Sequence, residues 1–321
     1  MSAAAVLALA LLLLPTAAAA QAPPRTARIG VLIFSTPTTD PSVPVLREAL
    51  RDLGWVEGRN LTIEYRFADG HPERLGQQAA ELVALKPDLI YAIGGDVAPF
   101  AKGATATIPI VAVVSNDPVE AGLIASLARP GGNVTGFTFL LSDLAAKRIE
   151  ILREIAPRVS TVGVLWNPDH PDPDFKESLA AGAMLGMRIV SLPTRKPDDF
   201  DGAFQTATRE HVEALIVVSS RLMSRERLRI LDFAGKRRLP MVTGWGEWAE
   251  GGALFTYGPN ISEVVRRSAG HVDRVLKGAR PANLPFERPT RFELAVNLKV
   301  AETLGLVVPP SLQARADRVI R

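Results

Sequence analysis

The sequence contains no cysteine, which excludes disulfide scaffolds, thiol nucleophiles and cysteine-ligated metal sites. An N-terminal lipid anchor on cysteine is excluded for the same reason. Histidine is scarce, and none of the four, His71, His170, His211 and His271, has a partner at metal-ligand spacing. We assign each of them a structural or solvent-exposed role. The sequence therefore predicts no metal and no cofactor.

Catalytic motifs are also missing. There is no GxSxG, no P-loop and no GxGxxG after the first predicted strand, and no carboxylate pairs with Glu247 or Glu250 as an acid/base couple. The 37 basic and 34 acidic residues leave a net charge of only +3, and the basic ones are scattered rather than massed in one stripe. A nucleic-acid partner is not expected from this pattern, and neither is an enzyme.

The N-terminus has the pattern of a secretory signal peptide. Residues 3–14 form an uncharged apolar run, which Pro15 interrupts and small residues follow up to Ala20. The alternative is a membrane anchor, but the run is shorter than the roughly 20 apolar residues that span a bilayer. We therefore predict cleavage after Ala20 and a mature protein in the periplasm that is not a lipoprotein.

Beyond the N-terminus, short apolar runs alternate with amphipathic ones. The first half predicts strands at 28–34, 61–66, 88–93, 110–114 and 136–139, with helices at 45–53, 74–85, up to 106, and 120–127. The second half repeats this order with helices at 144–155, 176–185, 199–209 and 225–236 and strands at 161–166, 188–192, 214–219 and 240–243. Such βαβ repetition is typical of parallel sheets covered by helices. The fold class is therefore α/β, with two Rossmann-like lobes.

The chain continues past the second half, with a strand at 252–257, a helix at 262–276 and an extended piece at 286–297. We interpret this tail as crossing back to the first lobe, so that several crossings form a hinge beside a cleft. The predicted first lobe comprises residues 27–140 plus about 258–283. The second comprises residues 141–257 plus about 284–321.

Small polar residues follow most of the predicted strands. In open α/β sheets, ligands bind outside the carboxyl ends of the strands, where helix N-termini offer free N–H groups. The alternative is that these residues only cap helices. On the first-lobe side the candidate ligand-binding residues are Ser35, Thr36, Gly95, Asp96, Asn116 and Asp117, and on the second-lobe side they are Phe139, Asn167, Ser219, Ser220, Trp245, Glu247 and Tyr257.

Several long segments together resemble one family. They are 114–119 (VSNDPV), 122–136 (GLIASLARPGGNVTG), 162–168 (VGVLWNP), 251–259 (GGALFTYGP), 272–285 (VDRVLKGARPANLP) and 289–299 (PTRFELAVNLK). They resemble the ABC-transporter substrate-binding family that includes the tryptophan-binding TrpX-type proteins, and the likeness covers essentially the whole chain after the signal peptide.

The resemblance implies a type I periplasmic binding fold, with two lobes joined by three crossovers and a cleft that captures a small polar ligand. It implies an ABC permease in the inner membrane as partner, and we expect the protein to be a monomer. The alternatives are an exported sensor that presents its ligand to a membrane receptor or, less favoured, an enzyme.

Characterised relatives bind aromatic or other amino acids, so the resemblance implies a ligand of that kind. This chain has Gly94-Gly95-Asp96 where many relatives have a hydroxyl-bearing turn, and Gly246 where they usually have arginine. We expect Asp96 or Glu247 to hold an ammonium group and Trp245 or Phe34 to stack on a ring. The alternative for the two tryptophans that flank Glu247 is that one is core and the other packs at the surface.

Overall fold

The computed structural model describes residues 26–37, 40, 42–94, 97–139, 142–170 and 174–321. The predicted signal peptide, residues 1–20, lies outside this part of the chain, as do the candidate site residues Gly95 and Asp96. No helix among the described residues is long and apolar enough to cross a membrane.

The first lobe is built on a parallel sheet of five strands. They are β1 (Ala27–Ile33), β2 (Leu61–Phe67), β3 (Leu89–Ile93), β4 (Ile110–Val114) and β5 (Val134–Thr138), in the order β2-β1-β3-β4-β5. Helices α1 (Ser42–Asp52), α2 (Leu75–Ala84) and α3 (Val97–Ala104) connect them. Every residue of β3, β4 and β5 is buried, as expected for parallel strands covered on both faces.

The second lobe has seven strands in the order β12-β11-β10-β9-β8-β6-β7. The strands are β6 (Thr161–Trp166), β7 (Arg188–Pro193), β8 (Ala214–Val217), β9 (Met241–Thr243), β10 (Phe255–Pro259), β11 (Phe292–Asn297) and β12 (Arg318–Ile320). The helices are α4 (Ser142–Ile155), α5 (Asp174–Met184), α6 (Asp199–Arg209), α7 (Arg221–Arg225), α8 (Arg227–Lys236), α9 (Trp248–Gly251), α10 (Ile261–Leu276), α11 (Leu298–Leu304) and α12 (Pro310–Arg315). Of these, α10 packs on the first lobe. Only the β10–β11 pair is antiparallel among the pairs described.

The two sheets share one topology, which confirms two lobes of the same α/β class. Strands β7-β6-β8-β9-β10 of the second sheet repeat the order β2-β1-β3-β4-β5 of the first. In each sheet the order reverses beside its first strand, between β1 and β3 and between β6 and β8. Such a reversal opens a crevice at the carboxyl ends of the two strands, where doubly wound folds bind ligands.

The chain passes between the lobes three times. It enters the second lobe after β5, returns after β10 so that α10 packs on α1 and the first sheet, and leaves again before β11. The predicted boundary at 283 is too early. The N–H of Phe286 donates to the carbonyl of Leu127 and that of Glu287 to the carbonyl of Gly136, because this segment extends the first sheet beside β5. The last crossing therefore follows Glu287.

Two predicted helices differ from the structure. Residues 120–127 form turns, because Pro118 and Pro130 flank a stretch in which Gly122 has a φ of 64°. The helix predicted at 225–236 corresponds to α8, and a further short helix, α7, precedes it and begins directly after the buried pair Ser219-Ser220.

His271, on the buried face of α10, fastens that helix to the third crossover. Its Nε2 is 3.0 Å from the carbonyl oxygen of Pro285, and its Nδ1 is 3.0 Å from Nη2 of Arg274. A carbonyl only accepts and a guanidinium only donates, so the ring is neutral with its proton on Nε2. Burial lowers the pKa of His271, and the charges of Arg274 and Arg267 add to that shift against the opposing effects of the Pro285 hydrogen bond and Glu287.

A histidine whose pKa is lower in the folded than in the unfolded protein contributes stability above about pH 6.5, and this contribution is lost as the pH falls. When the pH is lowered from about 7.5 to about 5.5, the free energy of unfolding, measured in urea, should decrease in both proteins. We expect the decrease to be about 1 kcal/mol smaller in His271→Gln than in the wild type. The other titrating groups are common to both proteins. Equal losses in the two proteins would show that His271 does not stay neutral in the fold.

Candidate functional site

The crevices of the two sheets face each other, and Arg221 spans them. This residue begins α7, directly after the end of β8, and its guanidinium carbon lies 4.0 Å from the ring centroid of Phe34, directly after β1. A Cβ placed on Gly94, directly after β3, would lie 3.6 Å from its Nε and Nη2. A cation from the second lobe thus stacks on an aromatic ring of the first. The sequence analysis did not select Arg221.

A second contact joins the lobes beside this one. The hydroxyl of Ser115, directly after β4, lies 3.3 Å from Nε2 of His170, in the loop after β6. His170 is buried, with 8% of its surface exposed. The sequence analysis assigned it a structural or exposed role, and the structure places it at the contact between the lobes. With Arg221, it shows that the cleft is closed in this structure.

Two of the described first-lobe candidates, Ser35 and Asp117, use their side chains in local hydrogen bonds. Ser35 donates to the carboxylate of Asp40, which also accepts the N–H of Ser42 at the start of α1. The carboxylate of Asp117 accepts the N–H groups of Val119 and Glu120, at 2.7 and 3.2 Å, and so closes a turn. The capping alternative therefore describes Asp117.

Asn116 and Thr36 complete the described part of the first-lobe set. Asn116 is 4% exposed, and its Oδ1 has no hydrogen-bond partner among the described residues. The Thr36 carbonyl accepts the N–H of Asp40 at 3.3 Å. Asn116 is thus the candidate of this lobe whose side chain is buried at the strand ends with an acceptor to spare.

Phe139 requires a correction, because it belongs to the first lobe and not to the second. Its N–H donates to the carbonyl of Val114, and its half-buried ring packs on the first lobe's apolar cluster. It extends β5, which is hydrogen-bonded to β4.

In the second lobe, two of the candidates at the ends of β6 and β8 make local hydrogen bonds and one does not. Asn167 accepts the N–H of Asp169 at 3.0 Å, and the hydroxyl of Ser220 caps α7 by accepting the N–H of Met223 at 3.4 Å. Ser219 is different. It is 2% exposed, and its hydroxyl has no hydrogen-bond partner in the part of the chain that the structure describes.

The two tryptophans contact each other near the end of β9. Trp248 is 1% exposed and belongs to the core, while half-buried Trp245 packs on the same cluster with its ring centroid 5.9 Å away. Glu247 between them retains exposed surface, yet the surrounding protein desolvates its carboxylate and raises its pKa, against the weaker lowering by Arg227 and Arg318. Tyr257 is half-buried in β10. It packs on the apolar cluster that includes residues of α4, a different cluster from that of the tryptophans, and its ring contacts that of Phe292.

A buried ion pair, formed by Arg148 and Asp174, lies near Ser219. Arg148 of α4 is 1% exposed; its Nη1 donates to Asp174 at 2.6 Å and its Nε to the carbonyl of Tyr257 at 2.9 Å. The sequence analysis missed both charged residues. A signal was present, since Arg148 falls between Leu144 and Leu152 on the apolar stripe of α4, where the spacing i, i+4, i+8 places a side chain inside.

The described residues contain no group of three histidine, cysteine, aspartate or glutamate side chains that could hold a metal ion. The facing strand ends of the two lobes present hydroxyls, an amide and aromatic rings, and Arg221 spans them.

The chain is similar to known proteins over nearly its whole length. It is 26% identical over 272 residues to a tyrosine-binding protein of Clostridioides difficile, spanning 84% of this chain and 78% of that protein. A Streptococcus pneumonia ABC domain solved with L-Trp matches with a TM-score of 0.83 at 23% identity, covering 92% of this chain and all of that one.

A ligand-free, open substrate-binding protein with adhesive properties from Clostridium difficile matches with a TM-score of 0.68, also at 23% identity, covering 92% of this chain and 99% of that one. The model of one family, described as ABC transporter substrate binding protein, matches residues 28–320. The fold, the facing crevices and this match agree, and the chain belongs to the ABC transporter substrate-binding protein family.

Proposed function

We propose that this protein is the periplasmic solute-binding component of an ABC importer and that it captures an amino acid, of aromatic type, in the cleft between its lobes. The observation that carries the proposal is the closure of two facing crevices by Arg221 and Phe34, 4.0 Å apart. Lobes that shut over a small cleft bury what lies between them and exclude water. Binding without chemistry fits a family whose members are substrate-binding proteins.

The similarity to known proteins supports the ligand class. One relative is named for tyrosine binding, and one structure of the same fold was solved with L-Trp. In this chain, Trp245 offers a ring beside the crevices, while the hydroxyl of Ser219 and the amide oxygen of Asn116 offer polar contacts. A zwitterion with a ring would use both kinds of contact.

Closure on ligand is supported by a comparison of shapes. At the same identity, this chain is more similar to the tryptophan complex than to the ligand-free, open structure. Contacts such as Ser115–His170 and Arg221–Phe34 would break when the lobes part. We infer that these contacts form in the ligand-bound state and open to admit the ligand.

Export, the permease and the monomeric state are further parts of the proposal. The apolar run at residues 3–14 supports export, and the absence of cysteine supports a form that diffuses freely in the periplasm. The permease would receive the closed, loaded protein.

The proposal is tested by titrating the twenty amino acids calorimetrically, followed by thermal unfolding and solution scattering with the tightest binder. We expect an aromatic amino acid to bind and to stabilise the fold by about 2.7 kcal/mol at a concentration of 100 times its Kd. The radius of gyration should decrease on binding. Binding of no amino acid, or unchanged scattering with a saturating ligand, would contradict the proposal.

A further inference from the structure

Buried Arg148 of α4 has one guanidinium nitrogen to which no acceptor is bound among the described residues. Its Nε and Nη1 are bound by the Tyr257 carbonyl and by Asp174, and Nη2 has no hydrogen-bond partner among the described residues. The side chain is 1% exposed. A buried donor without an acceptor is costly to a fold, because it has lost its hydration without replacement.

The Nη2 atom converges with a second donor. A Cβ built on Gly244 would lie 2.7 Å from Nη2 of Arg148 and 3.0 Å from the hydroxyl of Ser219. The hydroxyl of Ser219 is itself buried without a partner in the described part of the chain. Because residue 244 is glycine, Arg148 and Ser219 can both approach its backbone, where a Cβ would collide with them. The backbone at Gly244 can lie in this position because residue 258 is also glycine. A Cβ on Gly258 would lie 2.0 Å from the Gly244 carbonyl oxygen.

The two donors border the contact between the lobes. Ser219 precedes Arg221 by two residues, and Arg221 lies on Phe34 of the first lobe. Asp174, which orients Arg148, follows His170 by four residues, and His170 contacts Ser115 of the first lobe. Gly244 directly follows β9, at the edge of the sheet where the carboxyl ends of its parallel strands meet.

A guanidinium N–H and a hydroxyl that point to one position are suited to an anionic oxygen. Arginine donates and never accepts, and hydrogen bonds from it to a carboxylate are short and roughly twice as strong as neutral ones. Asp174 balances the charge of Arg148, so a ligand that is neutral overall but has a local carboxylate would not leave a net charge buried.

We infer that Arg148 and Ser219 form the second lobe's recognition site for the carboxylate of the ligand, with Gly244 allowing both donors to approach the same stretch of backbone. This inference rests on the proposed function and specifies it. The carboxylate is held from the second lobe by side chains, and not only by backbone N–H groups and hydroxyls at strand ends. Arg148 contacts the ligand, Asp174 positions Arg148, and Gly244 leaves room for Arg148 and Ser219 to lie close together.

The test compares each amino acid that the wild type binds with its carboxamide, using L-tyrosine with L-tyrosinamide and L-tryptophan with L-tryptophanamide first. We expect the wild type to prefer the acid by about 10- to 100-fold, the range of a charge-assisted contact. Ser219→Ala should weaken binding of the acid about 10-fold and change that of the amide by less than about threefold. The acid-to-amide ratio then falls.

A matched control is Thr256→Val. Thr256 is fully buried, and its hydroxyl likewise lacks a partner among the described residues, but it alternates along β10 with Phe255, which packs on the side of α4. Its hydroxyl therefore lies on the other face of the sheet. We expect unchanged binding of both acid and amide.

Gly244→Ala provides a second variant, because its methyl group would displace Nη2 of Arg148 and the Ser219 hydroxyl, and so lower affinity for the acid more than Ser219→Ala does. An unchanged acid-to-amide ratio in Ser219→Ala, with the wild type binding the acid, overturns this inference alone. Binding of no amino acid by the wild type overturns the proposed function, and the inference with it.

Discussion

Gly136→Ala is expected to lower the free energy of unfolding by at least about 4 kcal/mol, the range reached only by severe structural conflicts. Gly136 lies opposite Ala112 where β4 pairs with β5, and its φ is 149°. A Cβ there would lie 1.8 Å from the carbonyl oxygen of Ala112. The obstacle is backbone in a sheet and cannot move aside. The change would also disturb the third crossover, because Gly136 accepts the N–H of Glu287.

Urea unfolding followed by circular dichroism measures the effect, and Gly103→Ala in α3 of the same lobe is the control. A Cβ on Gly103 meets no atom within 4 Å. That change should be neutral or stabilise the helix by about 0.5–1 kcal/mol. If Gly136→Ala remains within about 1 kcal/mol of the wild type, the close approach of β4 and β5 is wrong.

Asp174→Ala is expected to destabilise the second lobe by about 3–5 kcal/mol, because it leaves the charge of Arg148 buried without its counter-ion. Both side chains of the pair are 1% exposed. Asp232→Ala is the matched control: it removes a pair with Lys236 at a similar distance, 2.7 Å, on the exposed surface of the same lobe. That loss should cost less than about 1 kcal/mol.

The double change Arg148→Met with Asp174→Leu separates the two roles of this ion pair. Replacing a buried pair by apolar side chains of similar volume is often neutral for stability, so the double variant should unfold close to the wild type. Its preference for an acid over an amide should nevertheless be lost. A double variant as unstable as Asp174→Ala would mean that the pair's geometry, and not the uncompensated charge, stabilises the lobe.

The alternation of strands and helices could be predicted because parallel strands are buried on both faces. Strands such as β3 and β4, with no exposed residue, are short continuous apolar runs in the sequence. The helix predicted at 120–127 failed because Leu123, Ile124 and Leu127 have helical spacing while Gly122 breaks the backbone. Three apolar residues at this spacing also fit a folded turn.

The sequence predicts the sheet edges at which the candidate site residues lie, but it does not predict the contacts that their side chains make. Sequence order places Ser219 and Asn116 at strand ends, whereas the local bonds of Asp117 and Asn167 depend on turn geometry. Arg221 could not be chosen from among 37 basic residues, because its partner Phe34 lies far away in the sequence. Arg148 was overlooked because arginine usually lies at the surface, although its place on α4 indicated burial.

The third crossover has a consequence for the order in which this protein can fold. The first lobe's core is closed by α10, and its sheet is extended by the segment that ends at Glu287. The second lobe requires β11 and β12, which ends at Ile320. A ribosome releases the chain from its N-terminus, so the first lobe's core cannot be completed before residue 287 has emerged, nor the second lobe's before residue 320. Both hydrophobic cores therefore form late, after nearly all of residues 27–320 have been synthesised.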